Sequence, residues 1–309
     1  MPSAAPRRVT ASGLDALQLV TELLQRARLA DSDAGLWEAA DFQWWWRTPR
    51  RSDAMEQWFW FDDRGPVAAV MLTDWVKLWG CDPILLPRLG SDVVDLIWRA
   101  AIERAAAPEL RGEPVETMVR DDDDLAERQL TPAGFRPTDD RGGMTWMAAE
   151  DRPSVDSLPS GFTLIDRASD PADRHWLTRR SGPDAESRLR QVSLYDPSLD
   201  LAIRAPEGSI AGYALFWIDP VTHVGLLEPM RVEEQWQRRG LARSLIAHGL
   251  DRLARKGATR MKVCWGSPPG HALYLGAGFR ESATTTSYRR EAGRTTSPDV
   301  PLSSSGRRQ

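Results

Sequence analysis

The residues of this 309-residue chain that are best suited to chemistry begin at Glu228. This carboxylate stands among apolar residues in the run Leu226-Leu227-Glu228-Pro229-Met230, which has the pattern of a buried strand. A buried carboxylate is costly unless its charge is paired or used. Desolvation also raises its pKa toward the range that suits a general base. The run therefore predicts a base at Glu228, and the alternative is a Glu228 that is exposed at the sheet edge or salt-bridged, for instance to Arg231.

A basic turn follows at Gln237-Arg238-Arg239-Gly240-Leu241-Ala242-Arg243, and leucines at helical spacing after it predict a helix. Free backbone N–H groups at a helix start bind anions, and the helix dipole adds to the attraction. Gly240 lets a phosphate approach the backbone, and the arginines add positive charge. The turn lacks the Gly-Lys-Ser/Thr of nucleoside-triphosphate loops and the glycines of dinucleotide sites. It predicts another kind of phosphate site, with an ordinary surface loop as the alternative.

Two motifs together resemble those of the GCN5-related N-acetyltransferase (GNAT) family. Residues 237–242 fit the family signature Arg/Gln-x-x-Gly-x-Gly/Ala. The run Leu273-Tyr274-Leu275-Gly276-Ala277-Gly278-Phe279 fits the typical ending Leu-Tyr-x-x-x-Gly-Phe. The resemblance is strong over residues 160–290 and degenerate over residues 35–150. It is similar to the layout of tandem family members in which the second copy is catalytic.

The resemblance implies acetyl-CoA as co-substrate and no metal. The pantetheine arm is expected to pair with the strand edge at Met230, Arg231 and Val232, as an added strand would. The pyrophosphate is expected on the amides of residues 238–243. Ser267 stands where many members have an asparagine that contacts the pantetheine arm. The prolines after Ser267 alter this loop, which puts that contact in doubt.

The resemblance also implies roles in the reaction. Glu228 is expected to deprotonate the amine, directly or through water, and Tyr274 to protonate the leaving thiolate. The backbone N–H of Met230 or a neighbour is expected to stabilise the oxyanion. A core tyrosine with a satisfied hydroxyl is the alternative for Tyr274. Cys264 is expected to be a buried small apolar residue.

The elements that must position these residues occur twice along the chain. Ala133-Gly134-Phe135-Arg136 recurs as Ala277-Gly278-Phe279-Arg280, a shift of 144 positions, and three further elements recur at the same shift. A constant shift indicates duplication; chance similarity between two α/β halves is the alternative. At this shift Glu228 corresponds to Ile84. The basic turn corresponds to residues 93–98, which contain neither glycine nor arginine, so the first copy is not expected to bind CoA.

Strands and helices alternate in each copy, so the sequence predicts an α/β (α+β) fold. The resemblance implies two tandem domains, each a mixed, mostly antiparallel sheet with a splayed central parallel pair flanked by helices. We expect residues 1–150 to form the degenerate domain and residues 161–290 the catalytic domain. Residues 151–160 are expected to be a linker and residues 291–309 a disordered tail.

The first half also carries most of the tryptophans, 10 of the 14, and a net charge of −9, whereas residues 151–309 carry +5. Core packing is one explanation for the tryptophans. Aromatic faces beside carboxylates also suit a cationic or flat acceptor. The adjacent residues Trp44, Trp45 and Trp46 cannot all face one core, so at least one is expected at a surface or an interface.

Several classes of function are excluded or disfavoured. No apolar run is long enough to span a membrane, and no signal-peptide pattern opens the chain, so we expect a cytoplasmic protein. The charge balance is not that of a nucleic-acid binder, and the histidines lack metal-ligand spacing. We expect a monomeric or homodimeric N-acetyltransferase that acts on a primary amine of a small molecule or peptide. A non-catalytic CoA-binding sensor or scaffold is the alternative, and a related enzyme with another acyl donor is a third reading.

Overall fold

The computed structural model describes residues 6–110, 112–171 and 174–292, and the predicted tail from 293 onward lies outside them. The first half contains β1 (Arg7–Ala11), α1 (Gly13–Ala30), α2 (Ala39–Trp45), β2 (Gln57–Asp62), β3 (Gly65–Asp74), β4 (Trp79–Leu85), α3 (Ser91–Ala105), β5 (Val115–Arg120), α4 (Asp124–Leu130) and β6 (Arg136–Ala148). The second half contains β7 (Thr163–Asp166), α5 (Thr178–Ser181), α6 (Ala185–Leu189), β8 (Asp200–Arg204), β9 (Ile210–Ile218), β10 (Val224–Val232), α7 (Leu241–Arg255), β11 (Arg260–Trp265), α8 (Pro268–Gly276) and β12 (Arg280–Arg290). Within these ranges, no helix combines the length and the hydropathy needed to cross a bilayer.

All twelve strands form one sheet in the order β1-β2-β3-β4-β5-β12-β6-β11-β10-β9-β8-β7. Neighbouring strands are antiparallel except for one parallel pair in each half, β4 with β5 and β10 with β11. The predicted α/β class with a mostly antiparallel sheet and a central parallel pair in each copy is therefore confirmed. The structure differs from two independent sheets because the copies share one.

The two halves are joined by an exchange of their last strands. Strand β6 of the first half lies between β12 and β11, and β12 of the second half lies between β5 and β6. The ladder from Arg260↔Ala148 to Trp265↔Gly143 pairs β11 with β6 along its whole length. Since an unpaired edge strand leaves N–H and C=O groups exposed, the exchange satisfies both inner edges at once. Neither half of the sheet is complete without the other.

Each parallel pair separates soon after it begins. Strand β10 pairs with β11 only from Val224↔Arg260 to Leu226↔Lys262, and an irregularity then interrupts its pairing with β9 between Leu227 and Met230. The indole N–H of Trp217 donates to the backbone carbonyl of Glu228 at 2.7 Å, which holds this irregular segment on the β9 side. A gap therefore opens between β10 and β11 beyond Leu226.

The correspondence between the copies is not constant. Helix α7 follows β10 after residues 233–240, whereas α3 follows β4 after only residues 86–90. The expected match of the basic turn to residues 93–98 is therefore wrong, because those residues lie inside α3 and the first copy has a shorter connection. Cys81 pairs with Leu72, and Leu227 pairs with Phe216, the residue 144 positions after Leu72, so the residues that follow, Asp82 and Glu228, correspond. Asp82 is thus the counterpart of Glu228, and the expected match to Ile84 is also wrong.

A buried cluster of charges lies where the halves meet. The Lys262 ammonium, fully buried on β11, contacts the Glu38 carboxylate at 3.0 Å and donates to the carbonyl of Leu36. Arg28 of α1 holds the other side of Glu38 in a two-nitrogen contact. These cations keep the pKa of Glu38 below its ordinary value, against the burial that raises it. A buried ion pair contributes little net stability, but removing one partner leaves charges without compensation.

We expect Glu38→Gln to lower the free energy of unfolding by roughly 3–5 kcal/mol, because Lys262 and Arg28 would both lose their buried counter-charge. Glu22→Gln, an exposed site on α1, is the matched control, with an expected change of about 0.5 kcal/mol or less. Urea unfolding of both variants measures the difference. Equal stability of the two variants would contradict the role given to Glu38.

Candidate functional site

A cavity of about 660 Å³ adjoins the gap between β10 and β11. Glu228 and Cys264 line it from the two separating strands, and Gly143 and Met144 line it from the exchanged strand β6. The first half adds further wall residues, Leu36, Trp37 and Met118. The cavity is therefore built by both halves. Cys264 is half-buried on its wall, not buried in the core as the sequence suggested.

Glu228 is half-buried and faces the first half of the chain. The indole of Trp44 donates a hydrogen bond to its carboxylate, and Asp41 and Arg47 are the charged groups that act on it. Burial, followed by the Asp41 charge, raises the pKa of Glu228 to about 7, while Arg47 and Trp44 oppose the rise. Arg231 does not form the salt bridge weighed from the sequence, since its Nε lies 3.5 Å from a Glu233 carboxylate oxygen. No ion pair to Glu228 occurs within the described ranges.

Helix α2 positions the Trp44 indole. Glu38 and Asp41 form a capping box at its start, and the Asp41 carboxylate accepts from the Glu38 backbone N–H at 2.7 Å. The Arg47 guanidinium stacks on the Trp44 ring at 3.5 Å and donates to Ser181 of the second half at 3.0 Å. Trp44 therefore packs at the interface between the two copies. Sequence reasoning missed its contact with Glu228, although the tryptophan run before Arg47 was the available signal.

The three adjacent tryptophans point to different surroundings, as expected. Trp44 is buried against Glu228, and the Trp46 indole donates to Gln191 of the second half at 3.0 Å. Trp45 packs edge-on against Trp37, with ring centroids 5.0 Å apart, and against Trp75 at 5.1 Å. All three pack against one hydrophobic cluster, and the contact with Gln191 puts Trp46 at the interface between the halves, as expected for at least one of them.

Tyr274 lies on α8, half-buried, with its ring edge-on to Phe279 at 6.3 Å. Burial, with the nearby Glu228 and Cys264, raises the pKa of its phenol well above the ordinary value. The hydroxyl therefore stays protonated at neutral pH and is able to donate a proton or a hydrogen bond.

Strand β10 keeps a free edge beyond the point where β11 leaves it. Met230, Arg231 and Val232 pair with β9 on one side, and the Glu233 N–H also bonds toward β9, at Ala211. Because backbone groups alternate sides along a strand, the N–H groups of Met230 and Val232 point into the gap. This edge is able to accept an extended ligand as an added strand.

The basic turn lies at the end of that edge. Arg238 and Gly240 have positive φ, 63° and 81°, and Gly240 is the N-cap of α7. Ser244 is the first residue whose N–H bonds back to Gly240, so the preceding amides at the helix start have no acceptor of their own within it. Leu241 is buried and Ala242 half-buried, which anchors the turn. The arginines at positions 238, 239 and 243 are exposed.

Two polar side chains brace this region in other ways. Gln237 donates to the Val232 carbonyl at 3.1 Å, which ties the turn to β10. Ser267 is the N-cap of α8, and its hydroxyl oxygen accepts from the Gly270 N–H at 3.4 Å. The Arg239 guanidinium lies over the Trp236 ring at 4.9 Å. In the part of the chain that the structure describes, no group of His, Cys, Asp and Glu is arranged to hold a metal ion.

Comparison with known proteins agrees with this architecture. Residues 159–279 match the acetyltransferase (GNAT) family. A mycothiol acetyltransferase of Clavibacter michiganensis subsp. michiganensis is 26% identical over 211 residues, 63% of this chain and 67% of the relative, and that of Clavibacter sepedonicus is equally similar. A tandem GNAT protein from the clavulanic acid biosynthesis pathway superposes with a TM-score of 0.65 over 93% of this chain and 99% of its own, at 15% identity. A GCN5-related N-acetyltransferase from Sphaerobacter thermophilus gives 0.58 over 92% and 96%, at 19% identity.

The hydrogen bond from Trp44 is expected to have a measurable effect on the pKa of Glu228. A charge-assisted bond is worth about 1.5–3 kcal/mol, so Trp44→Phe is expected to raise the pKa of Glu228 by roughly one to two units. Asp41→Asn is expected to lower it, because the like charge is removed. Carbon-13 NMR of the glutamate side-chain carboxyls, followed across pH and assigned by Glu228→Gln, measures both shifts.

Trp46→Phe is the control for this titration, because its indole bonds to Gln191 and not to Glu228. The titration midpoint in that variant should stay at the value of the unmodified protein. Shifts of the same sign in Trp44→Phe and Asp41→Asn would refute the assigned contacts.

Proposed function

We propose that this chain, which has the tandem GNAT layout and whose residues 159–279 match the GNAT acetyltransferase family, is an acetyl-CoA-dependent N-acetyltransferase. Its acceptor is a primary amine of a small molecule or peptide, and the amine attacks directly. The observation that carries the proposal is the Glu228 carboxyl, with a pKa of about 7, on the wall of a cavity beside a free strand edge. A general base with this pKa is half-ionised near neutral pH, which suits proton removal.

The described residues fit acetyl-CoA at two places. The inward N–H groups of Met230 and Val232 offer a strand edge to the pantetheine arm, and the free amides of the Gly240 turn suit its pyrophosphate. Arg238, Arg239 and Arg243 would add charge-assisted bonds, with Ser267 on the far side of the gap. When bound, acetyl-CoA supplies the acetyl group as an activated thioester.

Different side chains around the cavity carry out the two proton transfers. Glu228 takes the proton from the acceptor ammonium, and Trp44 keeps the carboxylate oriented as it does so. The N–H of Met230 or of a neighbour, at the irregular segment of β10, would donate to a developing oxyanion. Tyr274, protonated at neutral pH, donates to the leaving sulfur. Glu228 and Tyr274 influence each other electrostatically, which supports their placement in one site.

The acceptor is proposed only as a class. Two relatives carry the name mycothiol acetyltransferase, which supports a small-molecule amine as acceptor. Ser267, in place of the asparagine typical of many family members, argues against mycothiol synthase proper. The free thiols Cys81 and Cys264 agree with a reducing compartment, and we propose the cytoplasm.

Loss of the base and of the acid should reduce turnover by different amounts. Glu228→Gln is expected to lower kcat/KM about 10²–10⁴-fold and to remove the rise in rate through pH 7. Tyr274→Phe is expected to lower kcat roughly 10–100-fold and to keep that rise. Thiol release from acetyl-CoA with a panel of amines, amino acids and aminoglycosides measures both.

The binding affinity for CoA, measured by calorimetry, is the control for these variants, and neither change should alter it strongly. A protein that binds CoA tightly but gives no amine-dependent thiol release would be a CoA sensor or scaffold. Full activity of Glu228→Gln would exclude Glu228 as the base.

The basic turn can be tested without turnover. Arg239→Glu is expected to weaken CoA binding at least 10-fold, about 1.4 kcal/mol, because it places a negative charge beside the pyrophosphate. Gly240→Val is expected to weaken it as well, since a β-branched residue is strained at φ 81°. Arg255→Glu, at the exposed far end of α7, is the control and should bind CoA normally. Unchanged affinity in Arg239→Glu would refute the turn assignment.

A further inference from the structure

The cavity beside Glu228 continues into the first copy. A second cavity, of about 380 Å³, and a third, of about 280 Å³, lie beside the gap between β4 and β5. Trp37 and Met118 line all three, and Ser287 lines the first and the second. Met118 and Ser287 are directly paired across β5 and β12, so they form a shared floor. The three spaces therefore form one cleft across the sheet.

Asp82 stands at the far end of this cleft. Its side chain lines both first-copy cavities although the residue is only 6% exposed. Its carboxylate accepts a hydrogen bond from the Met118 backbone N–H, and among the described residues it has no ion-pair partner. Burial, with the charge of Glu116, raises its pKa to about 7. A desolvated carboxylate without a counter-charge is costly to keep unless a ligand compensates it.

The surroundings of Asp82 favour a cation. The indoles of Trp37, Trp45 and Trp75 line the adjoining cavity, and aromatic faces attract ammonium groups. Glu116, also on that wall, is already bound to Arg289, so Asp82 is the acid left for a ligand. Arg120, at the cleft rim, is held by Asp122, and Arg28 is held by Glu38. These two basic residues are therefore already paired with acids, whereas Arg141, on the wall of the first cavity beside Asp139 and Asp140, donates to the backbone carbonyls of Thr138 and Asp140.

The floor of the cleft leaves room for an extended ligand between Glu228 and Asp82. Gly142 and Gly143 of β6 and Thr285 and Ser287 of β12 present little bulk there. Glu228 and Asp82 lie on β10 and β4, five strand steps apart in the sheet. At about 4.8 Å per step this is on the order of 24 Å along the sheet, so only an elongated molecule can approach both.

We propose that the acceptor is a linear polyamine, acetylated at one end beside Glu228 and bound at its other end by Asp82. This inference rests on the proposed acetyltransferase function and specifies its substrate. Transfer forms an amide C–N bond at the terminal amine, breaks the thioester C–S bond and moves the amine proton through Glu228. The distal ammonium group stays unchanged and pairs with the Asp82 carboxylate.

The test compares amines of increasing length with acetyl-CoA: butylamine, 1,4-diaminobutane, 1,8-diaminooctane and spermine. Efficiency is expected to rise only for spermine, because the two diamines are too short to reach Asp82 from Glu228 across about 24 Å. Asp82→Asn should raise KM for spermine at least 10-fold with kcat little changed, and should leave butylamine unaffected. Asp63→Asn, an exposed site on the turn after β2, is the control and should resemble the unmodified protein. Equal KM values for spermine in Asp82→Asn and Asp63→Asn would overturn the proposal.

A binding measurement separates this inference from the proposed function. Titration of spermine into Glu228→Gln, followed by tryptophan fluorescence, reports binding without turnover. Spermine binding that Asp82→Asn weakens at least 10-fold, in a protein that acetylates no amine, would sustain the site and refute the enzyme. Acetylation of butylamine with no fluorescence response to spermine would sustain the enzyme and refute the site.

Discussion

The early end of the parallel ladder between β10 and β11 is the constraint on which the site depends. Pairing stops at Leu226↔Lys262 because β10 stays with β9 while β11 stays with the exchanged strand β6. The hydrogen bond from Trp217 to the Glu228 carbonyl holds β10 on its side of the gap. The free strand edge, the cavity and the position of Glu228 all follow from this divergence.

The divergence of β10 and β11 leaves a buried positive charge on β11, and a residue of the first copy neutralises it. Lys262, in the last residue pair before the gap, is fully buried, and its counter-charge is Glu38 of the first half. Helix α2, which Glu38 caps, also brings Asp41 and Trp44 near Glu228. One short helix therefore provides both the counter-charge of Lys262 and the groups that act on Glu228. Asp41 itself has a pKa raised to about 6 by burial, which makes its charge sensitive near neutral pH. A single copy would lack the groups that set the ionisation of its own base.

The sequence was sufficient for local features and insufficient for the contacts between copies. The strand that carries Glu228, the turn at Gly240 and helix α7 are each encoded by neighbouring residues, and the sequence predicted all three. The strand exchange was not predictable, because β6 and β12 have the same alternation whichever copy they join. The contact of Trp44 with Glu228 joins residues 184 positions apart, and no periodicity reports such a pair. The counterpart of Glu228 was missed because the 144-position shift is interrupted near the gap, where the connections differ in length.

The two gaps of the sheet differ in charge, in the same direction as the two halves of the chain. At the second gap a helix begins with exposed arginines at a left-handed glycine, which favours an anion. At the first gap α3 begins with Asp92 in its first turn, which opposes an anion at the same helix end. The buried acid is nevertheless present at both, as Asp82 and Glu228, each raised in pKa to about 7 by burial. A gap that keeps its acid without the phosphate-binding turn is electrostatically suited to positive ligands. The charge of −9 in the first half and +5 in the second therefore has the same sign difference as the two gaps of the sheet.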